Sequence, residues 1–465
     1  VDVPPIVLDR SRAEPLAAQL AGALRGAAAD GTLRAGDRLP STRALAATLG
    51  LSRTVTAAAY EQLLAEGWVE GRVGAGTYVT TAPTARLPAR ERAAGDSAAT
   101  YLVMMRAGVP CTEVLDRGAW RRAWRAAADP PPDTEPRPEG LPEFRAAVVE
   151  HLLRHRGLAA DPADVLATGG STGGIAEVAR TLPAGAVVAV EEPGYQRAAG
   201  GLRAAGLRVV GVPVDHAGLV VDALPAGLAA VYCTPAHQFP LGGRLPAARR
   251  VALVERARAD GFVVLEDDYD GELRYDVAPL PLLAALGPDV VAHFGTTSKI
   301  LTPTLGAGWL VAPPAVREAV LRQRDRTGSR PAPAGQRVVT AFAASGDLAR
   351  HLRRLRRELA GRRAEVVEAL AGVTVLGDEA GAHVIVPVPD VATERAVLRC
   401  AEAAGIALDG LERHHAATST PGIVLGYAGS TRAELRAALP HLAAILREAL
   451  AGAAPHARIA TRIPR

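Results

Sequence analysis

A chain of 465 residues, 49% apolar and 22% charged, is too long for one hydrophobic core and too apolar for a disordered tail, so two or three globular domains are expected. The net charge of +4 is too small to argue for a polyanionic partner by itself; residues 1–80 carry eight arginines against eight acids. No apolar run reaches membrane-spanning length, the opening residues do not read as a signal peptide, and Cys111, Cys233 and Cys400 form no metal-ligand pattern, so a cytoplasmic protein with reduced thiols is expected.

Residues 1–80 read as the first domain. Leu16 to Ala29 has the periodicity of an amphipathic helix, and Gly36 to Pro40 reads as a turn. Ser41 is a good N-cap for a helix over Thr42–Leu49, which Gly50 ends. Ser52 caps a third helix, from Arg53 to about Glu66, closed by Gly67. Trp68–Glu70 and Thr77–Val79 then alternate like two short strands around a glycine-rich loop, Gly71 to Gly76. Two helices joined by a short turn and followed by a hairpin make a winged helix-turn-helix.

The segment GDRLPSTRALAATLGLSRTVTAAAYEQLLAEGWVEGRVGAGTYV resembles the GntR-type DNA-binding domain along its whole length. The resemblance implies that Arg43, Ser52, Arg53 and Thr54 face double-stranded DNA. It also implies that Gly74 and Gly76 bring the wing to the minor groove, and that Arg38 meets a phosphate. Helix N-termini suit phosphates, and arginine can hold guanine through two hydrogen bonds. Residues 81–100 lack apolar periodicity and read as a linker.

Residues 101–465 alternate Val/Ala-rich runs with longer amphipathic segments, the rhythm of a mostly parallel α/β sheet with helices on both faces; a smaller α+β subdomain is expected from about residue 335. Five runs each lead into a polar cluster. Asp164–Ala167 precedes Thr168–Gly174, Ala186–Val190 precedes Glu191–Tyr195, and Ala229–Cys233 precedes Thr234–Pro240. Phe262–Leu265 precedes Glu266–Asp270, and Val290–Phe294 precedes Gly295–Ile300. Loops that follow parallel strands gather on one sheet edge, where ligands bind. Asp129–Asp133 reads as a proline-rich loop, the seven arginines within Leu348–Val366 as a solvated helix, and the tail after about residue 451 as frayed.

Lys299 is the only lysine in the sequence; the other 52 cationic residues are arginine. Arginine replaces lysine wherever a solvated charge suffices, but not where an amine must lose its proton and attack a carbonyl. That selectivity, and the position after an apolar run, point to a Schiff-base lysine.

The segments VYCTPAHQFPLG, VVLEDDYDGELRY and FGTTSKILTP resemble the fold-type I aminotransferases, which bind pyridoxal 5′-phosphate (PLP); the similarity covers roughly residues 101–450. With the winged helix in front, the whole chain resembles a MocR/GabR-type transcription regulator. The resemblance implies that Lys299 forms an aldimine with PLP, Asp267 pairs with the pyridine nitrogen, Tyr269 and His237 stand by the phenolic oxygen, and Tyr195 stacks on the ring. Gly170, Ser171 and Thr172 open a helix whose amides suit the phosphate, and Thr296 and Ser298 add hydroxyls. Arg197 is placed to meet the carboxylate of an amine or amino acid effector.

Two expected arginines are missing. Gly306 stands where the family grips the phosphate, and Val424 where aminotransferases clamp the substrate carboxylate. The segment TEPRPEG before Gly140 also lacks the tyrosine that reaches a partner's phosphate in the family. The expectation is a homodimeric regulator that senses PLP, or an amine joined to it, with weakened cofactor affinity and at most weak aminotransferase-type chemistry. The alternatives are a regulator whose altered site serves only dimerisation or another ligand, and an active aminotransferase.

Overall fold

The computed structural model describes residues 6–72, 74–80, 103–131, 134–135, 137–275, 280–416 and 420–452. The expected linker, the tail beyond 452, and parts of the proline-rich patch and of TEPRPEG lie outside the described residues. The chain divides into two units, Val1–Ala99 and Thr100–Arg465.

In the first unit, helices α1 (Leu16–Ala29), α2 (Thr42–Leu49) and α3 (Arg53–Ala65) enclose Leu20, Leu24, Leu45, Tyr60 and Leu63. Caps set the helix boundaries. Ser41 Oγ accepts from Ala44 N at 3.2 Å, and Ser52 Oγ accepts from Val55 N at 3.3 Å. The Tyr60 hydroxyl donates to Pro40 O at 2.9 Å, pinning the segment that leads into α2. The expected turn at 36–40 contains a strand, β1 (Arg38–Leu39), antiparallel to β3 (Gly76–Val79). With β2 (Val69–Arg72), the wing is therefore a sheet in the order β1-β3-β2. Two residues are too few to show a strand period, so only the pairing reveals β1.

The second unit begins with β4 (Val103–Met104), α4 (Arg117–Ala128) and α5 (Pro142–Arg156). An eight-stranded sheet follows. Its strands are β5 (Val165–Thr168), β6 (Val187–Glu192), β7 (Arg208–Asp215), β8 (Gly218–Leu219), β9 (Ala230–Cys233), β10 (Val263–Asp268), β11 (Val291–Thr296) and β12 (Gly308–Val311). The spatial order is β5-β12-β11-β10-β9-β6-β7-β8. β11, β10, β9, β6 and β7 pair in parallel; β12 runs antiparallel between β11 and β5, and β8 is an antiparallel edge.

Period-2 alternation sends the two sides of each strand to different helical layers. Leu166, Val188, Leu265 and Ala292 pack under α6 (Ser171–Ala179), α7 (Gln196–Ala204) and, further along the chain, α10 (Pro314–Thr327). Ala167, Ala189, Val264 and Val291 pack against α5, α8 (Ala247–Asp260) and α11 (Pro333–Ala344). Each fully buried Val, Leu or Phe stabilises the fold by about 1.5–3 kcal/mol before the entropy of ordering is counted. The short helix α9 (Leu283–Leu286) caps Glu266, whose carboxylate accepts from Leu283 N and Ala284 N at 2.7 and 3.1 Å.

The C-terminal part holds α12 (Asp347–Ala369), β13 (His383–Pro387), α13 (Val391–Ala403), β14 (Ile406–Ala407), β15 (Asp409–Gly410), β16 (Gly422–Gly426) and α14 (Arg432–Gly452). β13, β16 and β15 form a small antiparallel sheet, and β14 pairs with β4. The solvated reading of α12 holds for Arg350, Arg353 and Arg357, which are exposed, and fails for three others. Arg362 is fully buried against Glu358 and Glu113, while Arg356 and Arg363 donate to Glu272 O and Gly377 O. Long arginines here cross the packing layer and satisfy backbone carbonyls. No helix among the described residues is long and apolar enough to cross a membrane.

Candidate functional site

Because the strands run parallel, the segments after β5, β6, β9, β10 and β11 emerge on one sheet edge, and they wall a cavity of about 560 Å³. Of the residues singled out in the sequence, Gly170, Ser171, Thr172, Tyr195, Arg197 and Asp267 line it, together with Tyr269, Thr296, Ser298 and Lys299.

Lys299 follows β11 and its amine donates to Gly108 O at 2.6 Å. Burial pulls this amine below its ordinary pKa, while Asp270 and Asp267 act in the opposite sense. A depressed amine pKa favours the nucleophilic form.

Asp267 sits near the end of β10 with 3% of its surface exposed. Its Oδ2 accepts from the Tyr232 hydroxyl at 2.9 Å, whereas Oδ1 has no hydrogen-bond partner among the described residues. Burial pushes this carboxyl up to about 6, against the Tyr232 hydrogen bond and the nearby Ser171 hydroxyl. A buried carboxylate oxygen without a donor suits a cationic ring N–H. Beside it, Asp268 is held in a bidentate pair by buried Arg156, both contacts at 2.7 Å, which fixes the end of β10.

Gly170 precedes α6 with φ +102, a conformation that favours glycine, and leaves the first amides of a nine-residue helix open to the cavity. Thr296 Oγ1 and Ser298 Oγ lie 2.9 Å apart on the same side. These donors fit a phosphate. Gly306 contributes no charge: it closes a short 3-10 turn at φ +55, with open space where a Cβ would project. The donor set therefore fits PLP at the ring and the aldehyde, and fits its phosphate through neutral donors.

His237 is placed differently from the expectation. It is not among the cavity-lining residues; it is buried, with Nδ1 2.8 Å from Asp270 Oδ2 and 3.1 Å from the Tyr269 hydroxyl. It packs behind Tyr269, at 6.1 Å between ring centroids, because the loop after β9 turns inward there. Arg197 lines the cavity and forms no ion pair among the described residues. Val424 is buried in β16 with Ile385 and Leu411, an apolar cluster that offers no grip on a carboxylate.

Several lining residues gave no sequence signal of their own. Tyr232 reads as one more apolar residue of β9, and Phe239 is a ring hub that meets Tyr195, Tyr269, His383 and His414 edge-on. Arg106, Asp409, Arg413 and His414 reach the cavity from segments far away in the chain. The only available hint was the doublet His414-His415 in a loop.

On the first unit, Arg38, Arg43, Ser52, Arg53, Thr54, Gly74 and Gly76 are all exposed. Arg43 lies in the first turn of α2, Arg53 and Thr54 open α3, and Gly74 and Gly76 form the tip of the β2–β3 wing. The Arg38 guanidinium lies against Gly76, where a Cβ would approach its Nε to 2.9 Å.

Residues 16–79 match the gntR family of bacterial regulatory proteins, and residues 105–442 match the class I and II aminotransferases. The chain is 37% identical over 368 residues, 79% of this chain and 81% of the relative, to the HTH-type pyridoxine biosynthesis transcriptional regulator PdxR of Corynebacterium glutamicum. It is 31% identical over 492 residues, 99% of each, to the probable rhizopine catabolism regulatory protein MocR of Rhizobium meliloti. An archaeal alanine:glyoxylate aminotransferase shares the fold of the second unit, with a TM-score of 0.70, 23% identity and coverage of 74% of this chain and 91% of that one. With a gntR-type unit followed by a fold-type I aminotransferase-like domain, the chain belongs to the MocR/PdxR-type family of DNA-binding transcription regulators.

Proposed function

We propose that this regulator senses PLP, or an amine joined to it, through the amine of Lys299. The observation that carries the reading is the convergence on one cavity of the sequence's single lysine, the unpartnered Asp267 Oδ1 and the open amides of α6. When bound, PLP supplies an aldehyde carbon that condenses with primary amines. Asp267 would hold the ring nitrogen, Tyr195 the ring face, and Gly170, Ser171, Thr172, Thr296 and Ser298 the phosphate. Tyr269 would face the phenolic oxygen, with His237 supporting its hydroxyl from behind. Arg197 would take an acidic group of the amine. The Corynebacterium relative is named as a regulator of pyridoxine biosynthesis, which supports a vitamin-derived signal.

Sensing is favoured over turnover by Val424, because an apolar cluster cannot anchor the α-carboxylate of an amino-acid substrate. We place Arg43, Ser52, Arg53 and Thr54 against the DNA, the wing glycines Gly74 and Gly76 at the minor groove, and Arg38 at a phosphate. We also propose a homodimer in the cytoplasm, matched to two operator half-sites.

The test is a visible absorption spectrum with and without added PLP, for the wild type and Lys299→Ala. A new band in the wild type alone, fixed by borohydride as a pyridoxyl mass on Lys299, supports the reading. No band and no adduct would overturn it in favour of a site used for dimerisation or another ligand.

A further inference from the structure

One wall of the cavity is built by the start of α7 and by the short 3-10 helix Glu412–His414. His414 lines the cavity yet is only 5% exposed. Neither of its ring nitrogens has a hydrogen-bond partner among the described residues. Buried polar groups are ordinarily satisfied, so an imidazole with two idle nitrogens at a cavity wall marks a position that a ligand completes.

The residue is also held in place. Its carbonyl accepts from Gly194 N at 3.0 Å and from Gln196 Nε2 at 2.8 Å, and its ring stands edge-on to Phe239 at 5.0 Å. The first two contacts tie it to the segment that carries Tyr195 and Arg197. A fixed ring presents a defined hydrogen-bonding direction. Burial, with Arg413 beside it, holds its pKa down to about 3, so the ring is neutral and offers one N–H donor and one lone pair. The neighbouring Arg413 is engaged by Asp409 at 2.6 Å, which leaves Arg197 as the cation of this wall without an ion pair among the described residues.

We infer that His414 is a specificity-determining residue of the effector site, donating its ring N–H to an oxygen at the far end of a small primary amine. This rests on the reading of Lys299 as the amine that meets PLP. Arg197 then favours an acidic terminus, while His414 reads the presence of the oxygen itself, charged or neutral.

The neutral pair 3-aminopropan-1-ol and propylamine separates the two contributions. Both amines are titrated by calorimetry into the full-length, PLP-loaded protein, as wild type, His414→Phe and His414→Gln. The wild type should bind the amino alcohol about fivefold more tightly than propylamine, in line with one added hydrogen bond. His414→Phe should bring the two within about twofold, and His414→Gln, which keeps a donor, should retain most of the preference. Retention of the PLP absorption band shows that each variant is folded. No preference in the wild type, or a preference undiminished in His414→Phe, overturns the assignment while leaving the Lys299 reading intact. No PLP band in the wild type overturns both.

Discussion

Tyr232 donates its hydroxyl to Asp267 Oδ2 at 2.9 Å, and both side chains are buried in adjacent parallel strands. The hydrogen bond favours the ionised carboxylate, whereas burial disfavours it and holds the group at about 6. An ionised Asp267 is what a protonated ring nitrogen requires. PLP affinity should therefore fall as pH drops through about 6. Tyr232→Phe should weaken PLP binding about three- to tenfold and move that fall to higher pH, since removing the donor raises the carboxyl further. PLP titrations followed in the visible band from pH 5 to 8 measure both effects. A profile unchanged in the phenylalanine variant would remove this pair from the site.

Glu191 offers a second pH dependence, on stability. It is buried at the end of β6, accepts from Thr234 N and Oγ1, and is pushed by burial up to about 7 from an ordinary 4.5. An acid whose folded pKa is raised binds its proton more tightly in the folded state. Its contribution is complete below about 4.5 and is lost as pH rises through 7. Glu191→Gln should flatten the loss of stability between pH 5 and 8 by on the order of 1–3 kcal/mol. Urea unfolding at both pH values is the measurement, and equal losses in the two proteins would contradict it.

Arg53 opens α3, is exposed, and makes no ion pair among the described residues. Arg53→Ala should leave folding intact and weaken binding to a DNA fragment selected by the wild-type protein by about 5- to 150-fold. Arg25, bound to Glu66 at 2.8 Å, supplies the control: Arg25→Ala should stay within about twofold. Gel shifts at several salt concentrations test this. Equal affinities of wild type and Arg53→Ala would displace α3 from the reading role.

Gly306 can be asked to regain the family's arginine. The left-handed backbone costs an arginine about 1 kcal/mol, and a charge-assisted pair with phosphate contributes about 1.5–3 kcal/mol. The position has open space for the side chain. That backbone strain is shared by the free and the loaded protein, so it lowers stability rather than affinity, and Gly306→Arg should tighten PLP about 10- to 150-fold and leave unphosphorylated pyridoxal unchanged. An equal gain for both compounds would show that the new side chain does not meet the phosphate.

What the sequence disclosed depended on how local each signal is. Ser41, Gly50 and Ser52 mark their helix ends because capping involves residues within one turn of each other. The residues after the parallel strands were legible because each follows its own Val-rich run, and parallel topology collects them without any long-range information. Lys299 stood out by composition alone. The two-residue β1 carried no period, and the antiparallel β12 lies between strands distant in the chain. His237 shares its loop with cavity residues but turns inward onto Asp270, a choice made by side-chain packing. His414 and Arg413 reach the cavity only through the folding of β15 and its neighbours against the larger sheet edge, which no spacing encodes.

The solitary lysine also makes the chain its own chemical ruler. A lysine-specific endoprotease has one peptide bond to cut within this sequence, Lys299–Ile300, and Ile300 is 1% exposed, so the cut reports opening of the fold. Alkylating that ε-amine erases the cleavage site. Two fragments or none thus becomes a count of how many molecules carry a modified amine, legible on a gel without any chromophore.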